Sequence, residues 1–116
     1  MDYELIQTSQ GPVAQAVFSP EETISDYSTF FDAVMGAPAG TLAVAREKIT
    51  DRFFDLKTGP AGEILQKVST YRKRLVILGD FSKIDSKSLG DFIRESNRTG
   101  KVLFVKTIKE AQTLLR

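Results

Sequence analysis

The chain contains no cysteine and no histidine. Without cysteine it cannot form disulfides, bind a metal through thiolates or use a cysteine nucleophile. Without histidine it lacks the usual general base near neutral pH and the commonest zinc ligand. These two absences exclude a Ser-His-Asp triad and a histidine-based metal centre. An enzyme built from this chain would need a carboxylate or a lysine with a shifted pKa, so catalysis is not expected.

An excess of charge of one sign is also missing. The 16 basic and 15 acidic residues leave a net charge of +1, which gives no field that would draw the protein onto nucleic acid or anionic lipid. The first residues, MDYELIQTSQ, begin with an acid and alternate polar with apolar side chains, unlike a secretory signal peptide. With 41% apolar and 27% charged residues, the composition predicts one globular cytoplasmic domain over residues 1–116, with no membrane or nucleic-acid partner.

The chain does contain alternating strand and helix patterns. YELIQT and VAQAVF, joined by a turn at Gly11 and Pro12, predict an N-terminal β-hairpin. The apolar runs TLAVA, LVILG and VLFV predict three further strands, each followed by a helix. The order β-β-α-β-α-β-α-β-α predicts an α/β fold, a single compact domain whose mainly parallel sheet has an antiparallel edge strand.

The helical segments have apolar faces and recognisable ends. The second is predicted to run to about Arg74 with Tyr71 on its apolar face, so that the basic run YRKR offsets the helix dipole. The third ends near Gly100, and Thr107 with Glu110 form a capping box for the last. The first places four apolar side chains together: Phe30, Phe31, Val34 and Met35.

Ligands of open α/β sheets collect at the carboxyl ends of the strands. Three segments fall there: REKITDRFFDLKTGPAG, GDFSKIDSKS and the short KT after the last strand. Pro60 suits the first turn of a helix, so TGPAG begins the second helix. The residues that carry chemistry in these segments, as candidates to bind a partner or an anion, are Asp55, Lys57, Thr58, Gly59, Gly62, Asp80 and Ser82.

Each of these candidates has two interpretations. Gly59 and Gly62 allow either ordinary helix entry or the approach of an anion to free N–H groups. Asp51, Asp55 and Asp80 either hold a magnesium ion or a phosphoryl group, or serve as solvated and capping side chains. No cofactor or metal is expected, because their spacing fixes no coordination geometry.

Thr58 is the candidate for regulation. A phosphate added to a hydroxyl at a helix N-terminus is favoured by the helix dipole, and its bulk changes the surface that a partner meets. The alternative is that Thr58 only caps the helix, as the serines Ser86 and Ser88 would cap the next one.

The segment ITDRFFDLKTGPAGEILQKVSTYRKRLVILGDFSKIDSKSLGDFIRESN resembles an uncharacterised bacterial family, domain of unknown function 4180. In this family the segments FFDLKTG, AGEILQK and LGDFS precede a helix similar to SLGDFIRESN. FVKTIKEAQTLL near the C-terminus fits the same family, whose name implies no activity.

The order of elements also resembles STAS domains, which occur in sulphate transporters and anti-sigma factor antagonists. In those antagonists an aspartate, serines and a glycine open the helix after the third strand, and phosphorylation of a serine there switches partner binding. Asp55, Thr58 and Gly59 fall at the corresponding place. The segment DLKTGPAG departs from the usual motif by its length and its lysine.

These patterns predict a small protein-interaction or regulatory module that presents Asp51–Glu63 to a protein partner and is switched by phosphorylation at Thr58. The residues do not identify the partner, and a second copy of the chain, forming a homodimer, is a further candidate. The alternative is a nucleotide, phosphate or other small-ligand binder, or a minor enzyme, that uses Asp55, Asp80 and Lys57.

Overall fold

The computed structural model describes residues 2–54 and 61–116 of this protein. One five-stranded sheet forms the centre of the molecule. Its strands are β1 (Asp2–Thr8), β2 (Gly11–Val17), β3 (Thr41–Ala45), β4 (Arg74–Leu78) and β5 (Val102–Val105).

Helices connect the strands after the initial hairpin. They are α1 (Tyr27–Gly36), α2 (Ala61–Thr70), α3 (Lys87–Thr99) and α4 (Ile108–Leu114). Two short 3-10 turns, Arg46–Lys48 and Asp51–Phe54, follow β3. The predicted order of strands and helices is therefore confirmed. The caps predicted at Ser86 and Thr107 are confirmed, because each side chain accepts an N–H from the first turn of its helix, whereas Ser88 lies inside α3. Asp26, which the sequence analysis did not single out, caps α1 in the same way.

The strands lie side by side in the order in which they occur along the chain, β1-β2-β3-β4-β5. β1 pairs antiparallel with β2, and every later pair is parallel. The expected mainly parallel sheet with an antiparallel edge strand is thus confirmed. Because successive crossovers step in one direction, the three connecting helices are expected on the same face of the sheet.

The packing agrees with that expectation. Phe30 of α1, Val68 of α2 and Ile93 of α3 belong to one core cluster with alternate residues of the sheet such as Leu42 and Ile77. The intervening strand residues face the opposite side, where Ala111 of α4 and Leu115 pack on Val76, Leu103 and Val105. The apolar runs of β3 to β5 are continuous rather than alternating because both faces of these strands are covered.

The second helix is shorter than its periodicity predicts. It ends at Thr70 rather than near Arg74, and Arg74 instead begins β4. Arg72 adopts a left-handed conformation with φ of 58°. The Lys73 N–H donates to the Val68 carbonyl and the Arg72 N–H donates to the Ser69 carbonyl, which is the Schellman pattern of a helix end. Tyr71, expected on the apolar face, is 49% exposed.

The first helix keeps the predicted apolar face with one exception. Phe30 and Val34 are buried together with Ala33, which shares their face at the helical spacing. Met35, predicted to lie on this face, is 38% exposed. Met35, one position after Val34, therefore lies outside the buried face of the helix, and this face is narrower than the sequence predicts.

Candidate functional site

The carboxyl ends of the parallel strands are followed by polar residues, as the sequence predicts. We define the carboxyl edge as residues 46–54 after β3, residues 79–82 after β4 and Lys106 after β5. In the parallel register Ala45 pairs with Leu78 and Leu78 pairs with Val105, so the three segments leave the sheet at the same level. The Gly79 N–H donates to the Val105 carbonyl over 2.9 Å and extends the pairing past the end of β4.

Arg46 organises the segment after β3. Its Nη1 donates to the carbonyl oxygen of Ile49 over 2.7 Å, and its Nη2 donates to Oδ1 of Asp51 over 2.6 Å. The side chain of Arg46 is 30% exposed, whereas that of Asp51 is 97% exposed. Arg46 is therefore partly buried and donates a hydrogen bond to a solvent-exposed carboxylate.

Buried side chains fix the backbone of this segment. Ile24 forms an isolated parallel bridge with Ile49, and the Thr50 N–H donates to the Ile24 carbonyl over 2.9 Å. Phe53 is 1% exposed, and its ring centroid lies 4.8 Å from that of Phe30. Phe53 is therefore a core residue. Polar side chains such as Asp51 are thus carried on a backbone that the core holds in place.

Gly79 joins the segments after β3 and β4. A Cβ atom built on this glycine would lie 2.6 Å from Cβ and 3.2 Å from Cγ of Arg46. Real Cβ atoms do not approach each other so closely, so the contact requires glycine at position 79. The two connections therefore form one continuous surface rather than two separate loops.

Asp80 and Ser82 form a local turn on this surface. Asp80 Oδ1 accepts the Ser82 hydroxyl over 2.6 Å and the Ser82 N–H over 2.9 Å. The two hydrogen bonds from Ser82, hydroxyl first and amide second, hold the pKa of Asp80 below its ordinary value, and the positive charge of Lys106 lowers it further. Asp80 is fully ionised at neutral pH.

Replacing Ser82 by alanine is expected to raise the pKa of Asp80 toward its ordinary value, because the hydroxyl donor is the largest cause of the lowered pKa. NMR titration of the Asp80 carboxyl carbon measures this shift. The pKa of Asp80 is lower in the folded protein than in the unfolded chain, so the ionised carboxylate stabilises the folded state. This stabilisation is complete above the unfolded pKa of Asp80 and is lost as the pH falls through its folded pKa. Ser88→Ala, which alters a serine within α3, is the control and should leave the Asp80 titration unchanged. An unchanged titration in Ser82→Ala would contradict the assignment.

The structure places only some of the predicted site residues. Asp80 and Ser82 lie together at the carboxyl edge, and Asp51 is bound to Arg46. Gly62 and Glu63 belong to the first turn of α2. The remaining candidates, Asp55, Lys57, Thr58 and Gly59, lie outside the described residues, so the predicted anion, metal and phosphorylation roles of these four stay predictions.

No cluster that could hold a metal ion occurs among the residues that the structure describes. Of the three carboxylates considered for magnesium, Asp51 contacts Arg46 and Asp80 contacts Ser82. These two carboxylates therefore each have a local hydrogen-bonding partner, and Asp55 lies outside the described residues.

Sequence reasoning missed three residues of this edge: Arg46, Gly79 and Lys106. Each of them directly follows a strand. Position after a predicted strand is therefore the sequence signal that could have found them. The bonds of Arg46 to Ile49 and Asp51 depend on a turn whose geometry no local motif announces. The need for glycine at position 79 arises from a residue 33 positions earlier in the chain.

The order of the strands in the sheet determines whether the carboxyl edge contains a crevice of the kind that binds nucleotides. Doubly wound sheets bind nucleotides in a crevice at the point where the strand order reverses and helices pass to opposite faces. In this sheet the order never reverses from β1 to β5, and α1, α2 and α3 contribute to the same core cluster. The described topology therefore provides no switch-point crevice at the carboxyl edge.

The fold and this edge define a small α/β domain with a polar surface built on two joined connections. Within the described part of the chain, no helix has the length and apolar character needed to cross a membrane. The chain belongs to the family described as domain of unknown function (DUF4180), whose model matches residues 12–115. No curated protein and no solved structure matches the chain.

Proposed function

We propose that this protein is a small cytoplasmic protein-interaction module, rather than an enzyme, and that it presents the carboxyl edge and the segment up to Glu63 to a protein partner. The observation that carries the proposal is the contact of Arg46 with Gly79, which makes one surface from two connections. Protein partners recognise such continuous surfaces through groups whose positions are set before binding.

The charges of this surface support recognition by another protein. Asp51 and Asp80 are both exposed carboxylates held by hydrogen bonds, so their positions are restricted without burial. Such groups would orient a partner that carries complementary charges and would increase the rate at which it associates. The absence of a strand-order reversal favours a surface of this kind over the alternative small-ligand site.

Thr58 is the proposed point of regulation. It lies between the described edge and α2, which begins at Ala61. A phosphate there would add negative charge to the segment that follows Asp51 in the chain and change the complementarity of that segment to a partner. The resemblance to STAS domains motivates this phosphorylation switch, which stays a prediction. That the partner is a second copy of the chain also stays a prediction.

Site-specific photo-crosslinking in the cells that produce the protein tests the proposal. The photoreactive residue replaces Glu47 or Lys83, exposed residues close in the chain to Asp51 and Asp80, so that both carboxylates are kept, and exposed Arg94 of α3 is the control position. We expect the same protein adduct from positions 47 and 83 and none of it from position 94. Thr58→Glu should reduce the adduct at least tenfold. Equal adducts at all three positions, or none at positions 47 and 83, would refute the proposal.

A further inference from the structure

A second charged region lies at the opposite, amino edge of the sheet. A cavity of about 350 Å³ there is lined by five basic residues together with Ser69. The basic residues are Arg72, Lys73, Arg74, Lys101 and Arg116. We call this set the amino-edge cluster. The sequence suggested only that the run YRKR lies at a helix end.

The parallel register assembles the cluster from distant parts of the chain. Leu75 pairs with Val102, and the Leu75 N–H donates to the Lys101 carbonyl over 2.9 Å, so Arg74 and Lys101 enter neighbouring strands at the same level. Arg116 is brought to the same place because its N–H donates to the Gly100 carbonyl over 3.0 Å. The amino-edge cluster is therefore a product of the fold and not of one basic segment.

The positive charges of the cluster are not neutralised by acidic side chains in the described part of the chain. None of the five is within 4.0 Å of a described Asp or Glu carboxylate. Three of them donate to main-chain oxygens instead: Arg74 to Gln10, Lys73 to Ala39 and Lys101 to Arg116. Five of the 16 basic residues thus line one cavity, which leaves 11 against 15 acidic residues in the rest of the chain.

Helix dipoles account for part of this charge. The carboxyl ends of α2, α3 and α4 all lie at the amino edge, beside Arg72, Lys101 and Arg116. Each helix end carries about half a negative charge, so three ends offset about one and a half of the five positive charges. The positive charge that remains is about twice what the dipoles offset, and it favours an anionic ligand.

Arg72 provides an independent observation. Among the described residues, Arg72 is the one non-glycine residue with a positive φ, which is 58°. It lies at a helix end, where a residue in this conformation is usually glycine. A side chain in this conformation is strained, because its Cβ atom approaches the following carbonyl oxygen. Strained residues of this kind are found where function requires the side chain, and here the side chain lines the basic cavity.

We infer that the amino-edge cluster binds a small anion that carries two or more phosphate groups. Arginine and lysine together suit phosphate oxygens, arginine through paired N–H donors and lysine as a mobile point charge. The cavity has the size of a small-ligand site, and the five basic residues that line it match an anion with more than two charges. A single concave cluster in a protein of net charge +1 is unlike the extended basic stripe that follows a nucleic-acid backbone.

Isothermal titration calorimetry with phosphate, pyrophosphate and tripolyphosphate tests the inference. We expect affinity to rise with the number of phosphates, with tripolyphosphate at least tenfold tighter than phosphate, and to fall as salt is added. Lys101→Gln should weaken tripolyphosphate binding about tenfold, as the loss of one charge-assisted contact does. Arg94→Gln, which alters an exposed arginine of α3, is the control and should bind like the parent protein.

Arg72→Gly separates loss of binding from loss of folding. Glycine relieves the left-handed strain, so this variant should melt at a higher temperature than the parent and still bind tripolyphosphate about tenfold more weakly. Absence of tripolyphosphate binding in the parent protein would overturn the inference. Equal weakening in Arg94→Gln, unchanged binding in Arg72→Gly, or tighter binding of single-stranded RNA at the same phosphate concentration would also overturn it.

Discussion

Phe53→Ala is expected to lower the free energy of unfolding by about 3–5 kcal/mol, the usual cost of removing a fully buried phenylalanine. Phe53 is 1% exposed and its ring centroid lies 4.8 Å from that of Phe30, so truncation opens a cavity beside an aromatic partner. The neighbouring backbone is fixed by the Ile24–Ile49 bridge and by the Phe53 N–H bond to Thr50, which limits collapse around the cavity. Urea unfolding followed by circular dichroism measures the change.

Tyr71→Ala is the matched control for this prediction. Tyr71 is also aromatic and touches Phe31 edge-on with centroids 5.8 Å apart, but it is 49% exposed. Its truncation should cost about 1 kcal/mol, since it loses an aromatic contact and little burial. If Phe53→Ala cost no more than Tyr71→Ala, Phe53 would not be the anchor of the carboxyl edge.

Gly100→Ala is expected to destabilise the protein by about 2–4 kcal/mol through left-handed strain and overpacking. Gly100 has φ of 80°, and a Cβ there would lie 2.7 Å from the Leu114 carbonyl oxygen and 2.7 Å from Cγ of Arg116. The carbonyl belongs to the end of α4 and cannot move aside without disturbing the packing of Leu115. Thermal unfolding followed by circular dichroism measures the loss.

Gly90→Ala offers a control within the same helix. Gly90 lies inside α3, and a Cβ built on it meets nothing within 4 Å. Alanine there should stabilise the protein by about 0.5–1 kcal/mol, because it favours the helix without a clash. A similar effect of both substitutions would contradict the close approach of Arg116 to Gly100. Any stable Gly100 variant should also bind tripolyphosphate less well, because Arg116 is displaced.

The sequence predicted the order of strands and helices because each pattern was local. Val102–Val105 is a continuous apolar run, and Thr107 with Glu110 marks a helix start that the structure confirms. The reciprocal half of the capping box differs, since the Glu110 carboxylate accepts the N–H of Lys106 rather than that of Thr107. The end of α2 could not be predicted, because periodicity continues to Tyr71 while Arg72 takes a conformation that its residue type does not announce.

The candidate site was only partly predictable for a similar reason. The rule that polar groups gather at carboxyl ends of parallel strands identified Asp80 and Ser82 from the sequence. The contact of Arg46 with Gly79, which directly follows the neighbouring strand β4, depends on the register of β3 and β4. The amino-edge cluster also depends on register, since Lys101 and Arg116 have no sequence motif in common with Arg74.

The central claim is that a protein partner binds the carboxyl edge. NMR measures it most directly, by titrating the isotope-labelled protein with the partner recovered by crosslinking and following its assigned backbone amides. The account predicts the largest shifts at Arg46, Asp51, Asp80 and Ser82, with little change at Lys101. Shifts confined to the amino-edge cluster or to β1 would contradict it.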